Sequence, residues 1–211
     1  METNEKLGER AALDSGHEAF MAKLRKHFQI NACRVVARPL GQVPVDRASL
    51  SYRLLSALEV QELVYDPALR LAASFVRAAQ ARQDACIAAF DGKQVVAYAW
   101  TAFGSGVCKN DVWVKVDPRA CYVYKSFVRP EYRDDKVTDA LHTVADQFWL
   151  WTGKRFCMSF IHDHNPADME QTRRRGGKTI AHAGYIEPMG INWALRAPGT
   201  ERLEFHFFKP A

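Results

Sequence analysis

A chain of 211 residues that is 48% hydrophobic and 25% charged can fill a sizeable core, which excludes wholesale disorder. No run approaches the roughly 18 uninterrupted apolar residues of a membrane-spanning helix, and Met1-Glu2-Thr3-Asn4-Glu5-Lys6 has no secretion signal's apolar centre, so no membrane partner and a cytoplasmic location are expected. The formal charge of +5 is diluted by 24 acidic residues, and the dense basic cluster Arg173-Arg174-Arg175 with Lys178 reads equally as a solvated helix end or a phosphate site; with no aromatic platform beside it, nucleic acid is not an expected partner.

Residues 9–28 carry Ala12, Leu13, Ala19, Phe20, Leu24 and Phe28 at loosely helical spacing, and 32–40 are β-branched enough for a strand before the Pro39, Gly41 and Pro44 loop. Residues 1–50 are therefore expected to form a helix-and-strand extension, with one domain over 51–211. A short strand at 52–55 precedes a helix over 57–65 that stops at Asp66-Pro67, because the residue before proline avoids helical backbone. A second helix is expected over 68–82, with Leu69, Ala72, Ala73 and Val76 on one face.

Two apolar runs, 85–90 and 94–103, flank Asp91-Gly92-Lys93, whose Asp-Gly supplies the positive φ angles of a tight hairpin. Residues 111–116 alternate as a strand, Asp117-Pro118 turns the chain, and 120–128 is a further aromatic and β-branched strand, implying an antiparallel meander. On that last strand alternation allows only one of Tyr124 and Lys125 to face a central cleft. The period then becomes helical, with Val137, Ala140, Leu141, Val144, Ala145, Phe148 and Trp149 on one face up to Gly153. A strand over 155–161, a helix over 166–175 capped by Asn165 and stopped at Gly176-Gly177, and two strands ending near 203–208 complete the chain. The fold class is α/β: a mixed, mostly antiparallel sheet with helices on its faces. Cys33, Cys86, Cys108, Cys121 and Cys157 show neither metal spacing nor a disulfide framework and are expected as inert core thiols.

The stretch Ala120-Cys121-Tyr122-Val123-Tyr124-Lys125-Ser126-Phe127-Val128-Arg129-Pro130-Glu131-Tyr132-Arg133, running into a helix, resembles the cofactor-binding core of the GNAT acyltransferases. The string from Phe127 to Arg133 is its most specific part, and the likeness extends through the preceding hairpin and from Asn165 to Gly176, over roughly residues 51–208. It implies that the strand ending at Phe127 and Val128 lends its backbone to the pantetheine arm of acetyl-CoA or another acyl-CoA. It also implies that the loop entering the next helix cradles the pyrophosphate. The physical basis is general: amides in a helix's first turn, aided by the macrodipole, attract anions. Arg133, Lys136, Val137, Thr138 and Asp139 would form that cradle, with Asn165 and Thr172 on the neighbouring short helix.

The chain departs from the family at two places. The family loop reads Gln or Arg, two residues, Gly, one residue, then Gly or Ala, whereas Arg133-Asp134-Asp135-Lys136-Val137-Thr138 carries neither small residue, which reshapes the cradle. A tyrosine seven residues after the helix-opening Asn often protonates the leaving thiolate; here that position is Thr172, a weaker acid, with Tyr185 as the alternative acid or a half-buried strand aromatic. His162 and His164, in the His162-Asp163-His164-Asn165 tetrad, are candidates for the base; a metal is the less favoured reading, and none is expected. The resemblance thus implies an N-acyltransferase acting by direct attack of a small-molecule or peptide amine on an acyl thioester. A non-catalytic binding protein and an enzyme served by an acyl carrier protein stay open, as does a homodimer through a sheet edge.

Overall fold

The computed structural model describes Lys23 and residues 29–41, 50–109, 112–133, 135–163, 165–187 and 189–209. The helix expected over 9–28 lies outside these residues, apart from helical Lys23. Among the described residues the strands are β1 (Gln29–Pro39), β2 (Ser51–Leu54), β3 (Ala85–Asp91), β4 (Gln94–Phe103), β5 (Ser105–Lys109), β6 (Val112–Val116), β7 (Ala120–Val128), β8 (Phe156–His162), β9 (Lys178–Glu187), β10 (Ile191–Arg196) and β11 (Phe205–Phe208). Besides helical Lys23, the α-helices among the described residues are α1 (Ala57–Glu62), α2 (Ala73–Ala81), α3 (Asp135–Trp151) and α4 (Pro166–Arg174).

Eight strands form one sheet in the order β10-β9-β1-β8-β7-β4-β3-β2, and a second sheet runs β11-β6-β5. All pairs are antiparallel except β7 with β8, so the sheet is mixed and mostly antiparallel. Helix α3 covers one face, which we call the back. Its Val137, Leu141, Val144, Ala145 and Trp149 recur at helical spacing and pack on Ile87, Ala89, Ala97 and Ala99 of β3 and β4. Each such large apolar side chain contributes about 1.5–3 kcal/mol relative to exposure. The front face carries α1 and α2 over β3 and β4, and the small sheet over β1, β7, β8 and β9.

The largest departure from expectation concerns the extension. Residues 29–39 are not an appendage: β1 pairs with β8 from Cys33↔His162 to Pro39↔Phe156 and with β9 on its other side, inside the sheet. Ala32, Cys33, Val35 and Val36 are consecutively or nearly consecutively buried because an interior strand buries both faces. Three smaller corrections follow from backbone geometry. The helix expected over 68–82 is broken: a single 3-10 turn spans Pro67–Leu69, Arg70 adopts left-handed φ 53, and α2 begins at Ala73. The helix over 57–65 tightens into a 3-10 turn at Leu63–Tyr65. The meander is interrupted, since β5 and β6 leave the main sheet to pair with β11, and three strands rather than two follow α4.

Candidate active site

The site grows from the one parallel pair. Strands β7 and β8 share the rungs Ala120↔Phe156, Cys121↔Cys157 and Tyr122↔Met158, and their pairing ends there. On its other side β7 stays paired with β4 to Ala97↔Val128, and β8 stays paired with β1 to Cys33↔His162. Beyond Tyr122 and Met158 the sheet therefore opens into a V, flanked by backbone that elsewhere would fill a ladder.

A bulge shapes one arm of the V. Trp100 pairs with Lys125 and Thr101 with Val123, so Tyr124 is the extra residue on β7. It brings Tyr124 and Lys125 to the same face, contrary to simple alternation: the Tyr124 ring lies 6.1 Å from Phe75 of α2, and the Lys125 Nζ stands 5.1 Å from the centre of the same ring. On this front side Tyr124 Oη donates to Asp84 Oδ2 at 2.8 Å, while Arg82 Nε and Nη2 donate to the same oxygen at 2.9 and 2.6 Å. The Asp84 side chain is 1% exposed. Burial raises its pKa above the ordinary carboxylate value, against the opposing hydrogen bonds from Tyr124 and Arg82. Burial, then the Asp84 charge, raises the Tyr124 phenol as well. A buried carboxylate with a hydroxyl relay at the edge of a cleft can take a proton.

The back side of the V is more closed. Val36, Arg38, Val123, His142, Cys157, Ser159, Gln171, Thr172 and Arg175 surround a cavity of about 40 Å³, room for a few waters. Arg38 grips Asp146 of α3 through both guanidinium Nη atoms, with Nη2 to Oδ1 at 2.7 Å. Arg175 at the end of α4 reaches Asp139 at 3.6 Å and Asp146 at 3.9 Å. Burial, then the Arg38 charge, pulls the Arg175 pKa down to about 10. Burial, then Arg175 and Arg38, holds His142 far below its usual value, and so neutral.

Of the residues singled out in the sequence, Val128 faces the back core, and Phe127 stacks on Tyr98 at 5.4 Å on the front. Arg133 and Lys136 are exposed at the entry to α3, Val137 is buried in the back core, and Thr138 and Asp139 are half-buried. Asn165 caps α4, accepting from the Asp168 amide at 3.2 Å and donating to its carboxylate at 2.6 Å. Thr172 lines the back cavity beside Val123 of β7. His162, half-buried, ends β8 on the arm of the V opposite Tyr124. His164 lies outside the described residues. Tyr185 is 3% exposed and packs against Phe207 beneath the small sheet. Its strand is covered by β11, so the half-buried aromatic reading understated its burial. The basic cluster divides: Arg173 and Arg174 pair with Glu170, and Arg175 turns inward.

Reading the sequence missed Asp84 and Arg38, and saw Arg175 only as part of a basic cluster at a helix end. Asp84 is 40 positions from Tyr124, and Arg38 108 positions from Asp146, so neither pair leaves a local pattern. One signal was present for Arg38: a charge inside an apolar strand needs a buried partner. Among the described residues, no group of three or more histidine, cysteine or acidic side chains is placed to hold a metal, and no helix is long and apolar enough to cross a membrane.

No family model matches the sequence, and no curated protein does. Solved structures do match. A protein of the GNAT acetyltransferase family from Novosphingobium aromaticivorans DSM 12444 aligns with TM-score 0.52 and 12% identity, over 87% of this chain and 66% of that one. A GNAT-family acetyltransferase from Colwellia psychrerythraea gives TM-score 0.52 and 10% identity, over 74% of this chain and 54% of that one. A conserved protein of unknown function from Staphylococcus epidermidis ATCC 12228 gives TM-score 0.50 and 11% identity, over 91% and 67%. The chain thus spans about two thirds or less of the length of these proteins. These likenesses, with a mixed, mostly antiparallel sheet flanked by helices, establish that the chain has the fold of the GNAT acetyltransferases.

Proposed function

We propose that the chain is an N-acyltransferase, moving an acetyl or longer acyl group from an acyl thioester, acetyl-CoA first among them, to the amine of a small molecule or peptide. The observation that carries this reading is the V between β7 and β8, with the Tyr124–Asp84 pair on its front arm and Thr172 on its back side. A thioester laid in the V would present its carbonyl between the two sides. The amine attacks that carbon from the front, a C–N bond forms and the C–S bond breaks. The amine's proton passes to the Tyr124 oxygen as the phenol proton moves to Asp84, and the leaving thiolate is reprotonated from solvent. His162, on the other arm, is the second base candidate. Thr172 orients a group or a water near the sulfur. The helix entry at Arg133, Lys136, Val137, Thr138 and Asp139 would receive the donor's anionic end; a carrier-protein donor has no pyrophosphate and would not need it.

One observation favours a second reading, a binding module that has kept the fold. The back cavity of about 40 Å³ is far smaller than a pantetheine arm, so a donor enters only if Arg175 and the end of α4 move aside. Calorimetric titration with acetyl-CoA, longer acyl-CoAs and an acylated carrier protein separates the readings. Heat with a donor, followed by thiol release when amines are added, supports the enzyme. Absence of heat with all three sinks both enzymatic versions.

A further inference from the structure

Cys121 and Cys157 face each other on the parallel rung just before β7 and β8 part. Neighbouring strands lie about 4.8 Å apart, inside the roughly 4.4–6.8 Å that a disulfide bridges between Cα atoms. Both side chains lie in the back core, where the Cys121 thiol donates to the Phe156 carbonyl and the Cys157 thiol to the Met158 carbonyl, each at 3.7 Å. Cys157 also lines the back cavity, beside Arg38 and Arg175. We propose that Cys157 and Cys121 are a peroxide-reactive dithiol, in which Cys157 is oxidised by a hydroperoxide entering the back cavity and Cys121 resolves it to a disulfide.

The chemistry balances without any further reactant. The Cys157 thiolate attacks one peroxide oxygen; the O–O bond breaks, an S–O bond forms, and the other oxygen leaves as hydroxide. The sulfur has lost two electrons to the peroxide. The Cys121 sulfur then attacks Cys157 Sγ, an S–S bond forms, the S–O bond breaks, and water leaves with the Cys121 proton. The surroundings favour this order. The neighbouring Cys121 thiol, then the positive charges of Arg38 and Arg175, lower the Cys157 pKa against burial and the Asp146 charge. The neighbouring Cys157 and burial raise that of Cys121, which stays protonated until it is needed. A cavity with room for a few waters admits hydrogen peroxide and excludes bulky disulfides such as glutathione disulfide. The inference does not depend on the acyl-transfer reading, since the dithiol and its cavity belong to the chain alone.

Access alone would choose a different thiol, because Cys108 is half-buried while Cys121 and Cys157 are buried. The test is treatment of the folded full chain with hydrogen peroxide, removal of the peroxide with catalase, and only then unfolding in urea with and without dimedone, followed by peptide mass mapping. In the wild type a linked Cys121–Cys157 peptide pair is expected, lost on reduction with dithiothreitol. In Cys121→Ser the sulfenic acid cannot resolve, so dimedone should mark Cys157 over Cys108 by a factor on the order of ten, the thiolate advantage. Glutathione disulfide should leave the pair unlinked. The proposal is overturned if the link forms only in urea-unfolded chain, or if Cys108 takes up the adduct instead. Should Cys121→Ser not fold, the wild-type link and its dependence on the folded state decide alone.

Discussion

Arg38 of β1 and Asp146 of α3, 108 positions apart, hold each other through two hydrogen bonds with side chains only 6% and 5% exposed. The pair fastens β1 to α3. Removing one partner strands a buried charge, which typically costs about 3–5 kcal/mol. Arg38→Ala should therefore lower the urea unfolding midpoint sharply, whereas the double variant Arg38→Met, Asp146→Leu should recover much of the loss. If the single and double variants unfold at the same denaturant concentration, the pair is not the buried contact described.

Gly184 tests the same half of the sheet by packing. A Cβ at this position would meet Trp193 Cζ2 at 2.6 Å and the Asn31 carbonyl oxygen at 2.7 Å. The second contact is backbone and cannot swing away. Gly184→Ala should cost about 1–3 kcal/mol and quench or shift the Trp193 fluorescence. Wild-type stability in this variant would mean that β1 and β10 do not flank β9 as the register has them.

What the sequence revealed was local. Asp91-Gly92-Lys93 announced its hairpin, although Asp91 ends β3 paired with Gln94 and the positive φ, 57, falls on Gly92. Helix α3 was readable because Val137, Leu141, Val144 and Trp149 repeat at its own period and all meet one face. The position of β1 was hidden, since a strand's composition reports burial and not its neighbours; the run Ala32-Cys33-Arg34-Val35-Val36 did carry the mark of burial on both faces. The bulge at Tyr124 was hidden for a related reason. One extra residue is invisible in a strand that still alternates, yet it decides which side chains share the cleft. The likeness to the GNAT core marked β7 and the entry to α3, but not Asp84 or Arg38.

At the entry to α3 the donor's anionic end is the expected ligand, and Lys136 is the exposed cation in the helix's first turn. Lys136→Glu reverses that charge without touching the core. Affinity for acetyl-CoA should fall beyond detection by calorimetry, while the melting temperature stays within about a degree, as for a surface change of under roughly 0.5 kcal/mol. Unaltered affinity would remove Lys136 from the cradle, and an unaltered response to a carrier-protein donor alongside a lost response to acetyl-CoA would identify the pyrophosphate as the group it holds.

Asp84 links rate to pH in a defined direction. Its folded pKa is raised by burial, so the native state keeps this proton to higher pH than the unfolded chain, whose aspartates titrate near about 3.9. Stability from this group is therefore complete below that value, is lost as pH rises through the folded pKa, and is level above it. The proposed catalysis would run the opposite way, because only the carboxylate could accept the amine's proton through Tyr124. Acyl transfer should rise with pH along a limb lying above the ordinary aspartate range. Asp84→Asn should abolish that limb and lower kcat/KM by roughly a hundredfold or more. Tyr124→Phe, which leaves the carboxylate but cuts it off from the amine, should lower kcat and flatten the same limb. A loss of rate in Asp84→Asn that leaves the limb in place would assign the base to His162 on the opposite arm. The companion variant His162→Gln would then be the one to flatten the profile.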